Sequence, residues 1–301
     1  NPSADCQVAF GRGAALGYSD LGTKGMSDLT WALDEGARLD FAYVANHELA
    51  VAARALISAY YGKPPAYSYF IGCSDGGREA LMEAQRFPDD FDGIVAGAPA
   101  YLLAFLNYFQ HTWMYRANTD ARGKQIIGAE QAAVLHMAVI GACDALDGVQ
   151  DGLLTDPRDC AFDPGTLLCP PDTDGPDCLT APQVEAARKM YSSPSDAEGR
   201  RYFPGGLTYG SELKWAGGAS PMGANVSFDK LIVDAYAGYL SMPLPNQDTS
   251  LSADTVEFSE EDYASLLPMA AVYNASNPDL TRFRDRGGKL ILYHGWADDS
   301  I

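Results

Sequence analysis

AYSYFIGCSDGGREALMEAQRFPDDFDGIVAGAPA, residues 66–100, is the stretch whose reading decides the fold. An apolar, aromatic-rich run, Tyr67 to Ile71, leads into Gly72-Cys73-Ser74-Asp75-Gly76-Gly77, and a helix-forming run, Arg78 to Gln85, follows at once. The pattern is strand, tight turn, helix, with a serine at the apex of G-x-S-x-G. A turn this sharp strains the serine, and a side chain at Gly72 or Gly76 is expected to strike the neighbouring strand or helix. The same geometry lifts the Ser74 hydroxyl clear of the sheet. It also aims the Asp75 N–H, backed by a helix N-terminus, at the oxygen of a bound carbonyl. The motif alone recurs by chance in ordinary glycine-rich turns. The strand before it and the helix after it favour a nucleophile.

Outward from this stretch, Pro88 stops the helix and Gly93 to Gly97 reads as a second buried strand, so the unit is βαβ and the sheet parallel. The pattern resumes only near the C-terminus. There Lys289 to Tyr293 is a buried strand ending in His294-Gly295-Trp296-Ala297-Asp298-Asp299. An acidic residue in a loop just past a parallel strand is where a sheet-based hydrolase presents its triad acid. On the N-terminal side, residues 10–30 are glycine-rich and read as a strand fragment and loops. Phe41 to Tyr61 has helical spacing and is ended by Gly62 and Pro64-Pro65. His47, near the start of that helix, has nothing nucleophilic beside it in sequence and reads as a structural histidine.

Between residues 100 and 265 the character changes to long helical patterns (Tyr101 to Met114, Ala129 to Ile140) and long irregular stretches. The expectation is an α/β parallel-sheet core, residues 1–99 and 266–301, with 100–265 inserted as a lid domain. Trp215 in that insertion could stack on an aromatic group or serve as core, and the sequence leaves both readings open.

The 301 residues carry 21 Lys and Arg against 40 Asp and Glu, a net charge of −19. That charge repels nucleic acid and anionic membranes, so neither is expected as a partner, and a neutral or aromatic substrate suits it better. No run of about eighteen apolar residues is evident, so no membrane span is expected. Six cysteines, Cys6, Cys73, Cys143, Cys160, Cys169 and Cys178, lack the close pairs of a zinc site. Disulfides and a secreted or periplasmic location are therefore expected, though spacing alone leaves the pairing open. Asp144, Asp147 and Asp151, with Gly148 and Gly152, crowd into one short loop. Such a loop suits a hard oxygen-seeking cation such as calcium, or is simply a solvated acidic turn.

The elbow GCSDGGREALMEAQRFPDDFDGIVAGAP, the loop CDALDGVQDGLLTDPRDC and the ending LILYHGWAD together resemble the tannase/feruloyl esterase family. Its members include tannin acyl hydrolases, fungal feruloyl esterases and the bacterial hydrolase of mono(2-hydroxyethyl) terephthalate. The resemblance runs from about Tyr18 to Ile301 and is loosest in the insertion. It implies an α/β-hydrolase core with a large inserted lid, and a serine carboxylesterase acting on feruloyl or galloyl esters. Ser74 would be the nucleophile, Asp298 rather than Asp299 the triad acid, and the Asp75 N–H one oxyanion donor.

The resemblance further implies structural calcium held by Asp144, Asp147 and Asp151 side chains with the Val149 and Leu153 carbonyls, and a Cys169–Cys178 disulfide. A Cys143–Cys160 bridge would close the acidic loop and contribute roughly 3 kcal/mol. Chain order in this fold is Ser, Asp, His, yet His47, His111, His136 and His294 all precede Asp298. The catalytic histidine is therefore expected downstream of Ile301, the second oxyanion donor upstream, and the core incomplete at both ends. Cys73 would pair with a cysteine beside that histidine, and Cys6 would likewise have a partner elsewhere. The competing expectation is a catalytically incomplete relative that only binds aromatic ligands.

Overall fold

Three strands form where the apolar runs predict them: β1 (Tyr69–Cys73), β2 (Gly93–Gly97) and β3 (Lys289–Tyr293). They are parallel, ordered β1-β2-β3, with Ile71 level with Val95 and Val95 level with Ile291. The computed structural model describes residues 9–25, 28–171, 173, 175–215 and 227–301. Cys6 lies outside the described residues. Residues 10–30 contain no strand among those described, in contrast to the expected fragment, and Leu29–Leu33 is a short 3-10 turn. Their glycines, several at positive φ, favour turns over an extended ladder.

The chain divides into two compact units. The first comprises Asn1–Leu103, Pro243–Asn246 and Pro268–Tyr293 and holds the sheet. Helix α1 (Ala45–Tyr61) follows a π-type turn at Asp40–Val44 and ends where Gly62 adopts a left-handed φ of 70°. Helix α2 (Asp75–Arg86) connects β1 to β2. Its buried Ala80, Leu81, Met82 and Ala84 pack with Ile94, Ala96, Ala275 and Phe283, flanked by Phe70 and Leu290. On the opposite sheet face Tyr69, Ile71, Ile291 and Tyr293 are each more than half exposed.

The second unit comprises Ala104–Met242, Gln247–Leu267 and His294–Ile301. Residues 294–301 thus group with this unit, whereas the sequence reading kept them with the sheet. Its helices are α3 (His111–Ala117), α4 (Ala129–Cys143), α5 (Ala181–Tyr191), α6 (Phe228–Tyr239) and the start of α7 (Glu260–Tyr273). Its core gathers Met114, Ile127, Leu135, Leu179, Val184, Met190 and Trp215. Trp215 is therefore a core residue, its indole N–H donating to Ser211 Oγ at 3.0 Å. Cys143–Cys160 and Cys169–Cys178 are both disulfide-bonded. By length and composition alone, at a mean hydropathy of 1.2, the Ala129–Asp147 stretch is long and apolar enough to cross a membrane, although polar residues such as Gln131 and His136 interrupt its apolar run. Core packing accounts for part of that apolarity: Ala132, Leu135 and Val139 are buried, and Cys143 is tied by its disulfide.

The first unit also buries a carboxyl group against a second one, that of Asp90. Glu83 of α2 is 1% exposed, and neither of its oxygens finds a hydrogen bond among the described residues. Nearby Asp90 is held by His47 Nδ1 and Arg54 Nη2, both from α1, at 2.5 Å each. Burial first, and the Asp90 charge second, push the Glu83 carboxyl from its ordinary 4.5 up to about 8. The folded chain therefore binds this proton more tightly than the unfolded chain. The stability it confers is complete below about pH 4.5 and is lost as pH climbs towards about 8. We expect wild-type protein to lose a few kcal/mol, on the order of 3, over this window through Glu83 alone. Glu83→Gln should flatten the loss in calorimetry at pH 5 and pH 9, and an unchanged pH dependence would contradict the assignment.

Candidate active site

Sharp reversal at the end of β1 gives Ser74 φ 64° and ψ −122°, a conformation that side-chain-bearing residues rarely adopt and that costs on the order of 1–3 kcal/mol. The surroundings hold it there. Its N–H donates to the Gly97 carbonyl at 3.0 Å, and its own carbonyl accepts from Gly77 (3.0 Å), Arg78 (3.2 Å) and Ala100 (3.2 Å). Ala98, just beyond β2, also has a positive φ of 35°, and its N–H donates to the Tyr293 carbonyl at 2.7 Å. Both β1 and β2 thus end in strained residues. Nothing in the pattern G-A-P-A announces the second.

The glycines of the motif divide differently from the sequence expectation. A Cβ on Gly72 would run into the Gly76 carbonyl, as expected. A Cβ on Gly76 would meet nothing within 4 Å, so the expected clash there is absent. Gly77 carries the second constraint: its Cβ would overlap the Gly97 carbonyl and lie 2.9 Å from Pro99 Cα. The reason is angular. Gly76 lies on the outer side of the first turn of α2, and Gly77 lies against the end of β2.

Asp75 is the first residue of α2, so its N–H has no carbonyl partner within the helix. Its carboxylate accepts from Arg78 Nε at 2.5 Å. Behind it, Glu79 accepts from Asn46 Nδ2 at 2.9 Å. Burial, and then the Asp75 charge, raise the Glu79 carboxyl to about 7. Cys73, next to Ser74, is exposed and forms no disulfide among the described residues. Arg78, Glu79 and Asn46 were not legible as site residues. Arginine and glutamate on a helix ordinarily face water, and the Asn46–Glu79 contact spans 33 positions.

Asp298 lies in the second unit, Ser74 in the first. The Asp298 N–H closes a turn onto the Gly295 carbonyl at 3.2 Å. Its Oδ1 accepts from the amides of Ser300 (2.9 Å) and Ile301 (3.1 Å), and His294 Nε2 lies 3.4 Å from Oδ2. Asp299 is pushed up by burial and by the charges of Asp229 and Asp298. A cavity of about 390 Å³ in this unit is lined by His111, Met114, Phe203, Leu207, Trp296 and Asp298, among others. The other histidines have carboxylate partners of their own: His47 with Asp90, His111 with Asp229, His136 with Glu212. His47, also stacked on Phe87 with centroids 4.1 Å apart, is anchored in this way within the first unit.

The acidic loop is folded on itself. Asp144 Oδ1 accepts from the amides of Asp151 (3.3 Å) and Gly152 (3.0 Å), Asp147 Oδ1 from Val149 (2.9 Å), and Asp151 Oδ1 from Leu153 (3.2 Å). Thr155 donates to Asp147 Oδ2 at 2.6 Å. The donor chemistry, carboxylate and carbonyl oxygen, fits a hard cation. No set of three or more ligating side chains converges on one point among the described residues.

A parallel βαβ unit with a strained serine at its elbow defines the α/β class of fold in which a nucleophile stands above a strand end. The comparisons place the chain more closely. The family model described as tannase and feruloyl esterase matches residues 2–301. An uncharacterized esterase of Xanthomonas campestris is 34% identical over 308 residues, covering 97% of this chain and 52% of the relative. A probable feruloyl esterase B of Aspergillus niger is 32% identical over 298 residues, covering 96% and 54%. The crystal structure of feruloyl esterase B from Aspergillus oryzae superposes with a TM-score of 0.75 at 28% identity, covering 91% of this chain and 52% of that one. This chain belongs to the tannase and feruloyl esterase family. It spans about half the length of the relatives it matches.

Proposed function

We propose that this chain carries the nucleophile and acid of a serine carboxylesterase acting on esters of aromatic acids, feruloyl or galloyl. The observation that carries the reading is the backbone of Ser74, held at φ 64° and ψ −122° on a βα elbow. A chain with no use for a projecting hydroxyl gains nothing from that strain. The names of the Aspergillus relatives support the acyl class.

In this reading a histidine, which chain order places after Asp298, takes the Ser74 proton as Oγ attacks the ester carbonyl. The carbonyl electrons move onto oxygen, where the Asp75 N–H donates to the oxyanion. Collapse breaks the bond to the alcohol, which leaves with the proton from the histidine. Water then repeats the sequence on the acyl-enzyme and releases the acid. Asp298 orients and balances the imidazolium. Residues 100–265 would act as the inserted lid. Cys73 would bridge to a cysteine outside these residues, beside the base. Two disulfides support a secreted or periplasmic location. The test is turnover of methyl ferulate and methyl gallate by the full natural chain. Release of either acid supports the reading, and binding without turnover would leave a scaffold that only holds aromatic ligands.

Calcium, in this proposal, is structural, held by Asp144, Asp147 and Asp151 with the Val149 and Leu153 carbonyls. Its role is to neutralise three carboxylates that sit within eight residues. An ion at about 100 times its Kd adds about 2.7 kcal/mol. Chelation by EDTA should therefore lower Tm by about 5 °C, and added calcium should restore it. A Tm indifferent to both would remove calcium from the account.

A further inference from the structure

We propose that Arg78 is a positioning residue for the reaction: from beneath the elbow it fixes the direction of the Asp75 N–H, the donor to the oxyanion. The inference rests on the serine-esterase reading above. Arg78 is 0% exposed, although arginine is seldom fully buried without a specific partner. Its donors are spent on three acceptors. Nε reaches Asp75 Oδ1 at 2.5 Å, Nη1 the Ala42 carbonyl at 2.7 Å and Nη2 the Phe41 carbonyl at 3.1 Å. The guanidinium also lies 5.1 Å from the centroid of the Phe41 ring. One side chain thereby ties the first turn of α2 to the π-type turn Asp40–Val44.

The consequence for the oxyanion donor follows from peptide planarity. The Ser74 carbonyl and the Asp75 N–H belong to one trans peptide unit and point in opposite directions. Three amides, those of Gly77, Arg78 and Ala100, hold the carbonyl end. The Asp75 end is held through its side chain, whose charged partner is Arg78, with Glu79 beside it. If that grip is released, the rigid Ser74–Asp75 peptide plane can tilt about its hydrogen-bonded carbonyl end, and the N–H swings off the line to the developing charge. An interaction made only in the transition state is then weakened, so the loss should fall on kcat and spare KM.

Arg78→Lys keeps the charge and removes the fork that reaches three acceptors. In the full natural chain we expect kcat for methyl ferulate to fall roughly 10- to 100-fold with KM changed less than about twofold. Affinity for phenylboronic acid, which adds to the serine as a tetrahedral anion, should fall by a similar factor, while affinity for ferulic acid should hold. Met82→Ala, on the core side of α2, serves as the purely structural comparison: it should lower Tm and leave boronate affinity unchanged. If Arg78→Lys does not fold, Asp75→Asn weakens the same grip and should lower kcat several-fold with the same selectivity for the boronate. Unchanged boronate affinity in the variant that folds overturns the proposal. A wild-type protein whose Ser74 resists a fluorophosphonate probe overturns the serine reading and this inference with it. Labelling of wild type with full turnover by Arg78→Lys overturns the inference alone.

Discussion

Replacing Ser74 with alanine is expected to lower kcat/KM for an aromatic-acid ester by at least about 10⁴-fold while leaving the fold intact. Removing the nucleophile of a serine triad typically costs on the order of 10⁶ in kcat, with the oxyanion hole and binding supplying what remains. The same substitution leaves φ 64° in place, since alanine is no better suited to it than serine. Tm should therefore move little. Steady-state kinetics beside a thermal melt separates the two effects. A Ser74→Ala protein with more than about a tenth of wild-type turnover would show that the hydroxyl is not the attacking group.

The second large effect concerns folding. Gly72→Ala and Gly77→Ala each place a methyl inside backbone atoms that cannot retreat, the Gly76 carbonyl in one case and the Gly97 carbonyl in the other. Each should destabilise the chain by on the order of 3 kcal/mol or more. Gly76→Ala lies between them in sequence, meets nothing within 4 Å, and replaces glycine early in a helix. It should be neutral or stabilising by up to about 1 kcal/mol. Denaturant titration of the three variants is the check. Equal destabilisation at all three positions would mean that the elbow is not packed as described.

How much of this was legible in the sequence depends on whether the cause is local. β2 and β3 could be delimited to the residue because short apolar runs bounded by glycine, proline and charge have few alternatives, but β3, expected to be buried, is largely exposed among the described residues. β1 was displaced by two residues, because its last two positions, Gly72 and Cys73, belong at once to the strand and to the turn. The serine at the elbow was legible because a strained turn needs glycines at fixed offsets. Which glycine meets backbone was not, since that depends on the angle at which α2 leaves the strand. The predicted helix Tyr101 to Met114 breaks into a short helix, a π-type turn at Leu106–Gln110 and α3, and helical spacing is blind to that difference.

Long-range chemistry was the least accessible. Arg78 reaches back 36 residues to Ala42, and Glu83 is buried by a fold that brings α1 and Asp90 around it. A pattern of helical periodicity assigns both to a solvated face by default. Buried charge is a property of tertiary structure, and it emerges only when the chain is folded.

The central claim is that Ser74 becomes acylated. The most direct measurement is acid quench of the full natural chain during turnover of an activated feruloyl ester, followed by peptide mapping by mass spectrometry. The account predicts a feruloyl adduct on the peptide carrying Ser74, formed before steady state and absent from Ser74→Ala. Turnover with no adduct, or with the adduct on another residue, would contradict it.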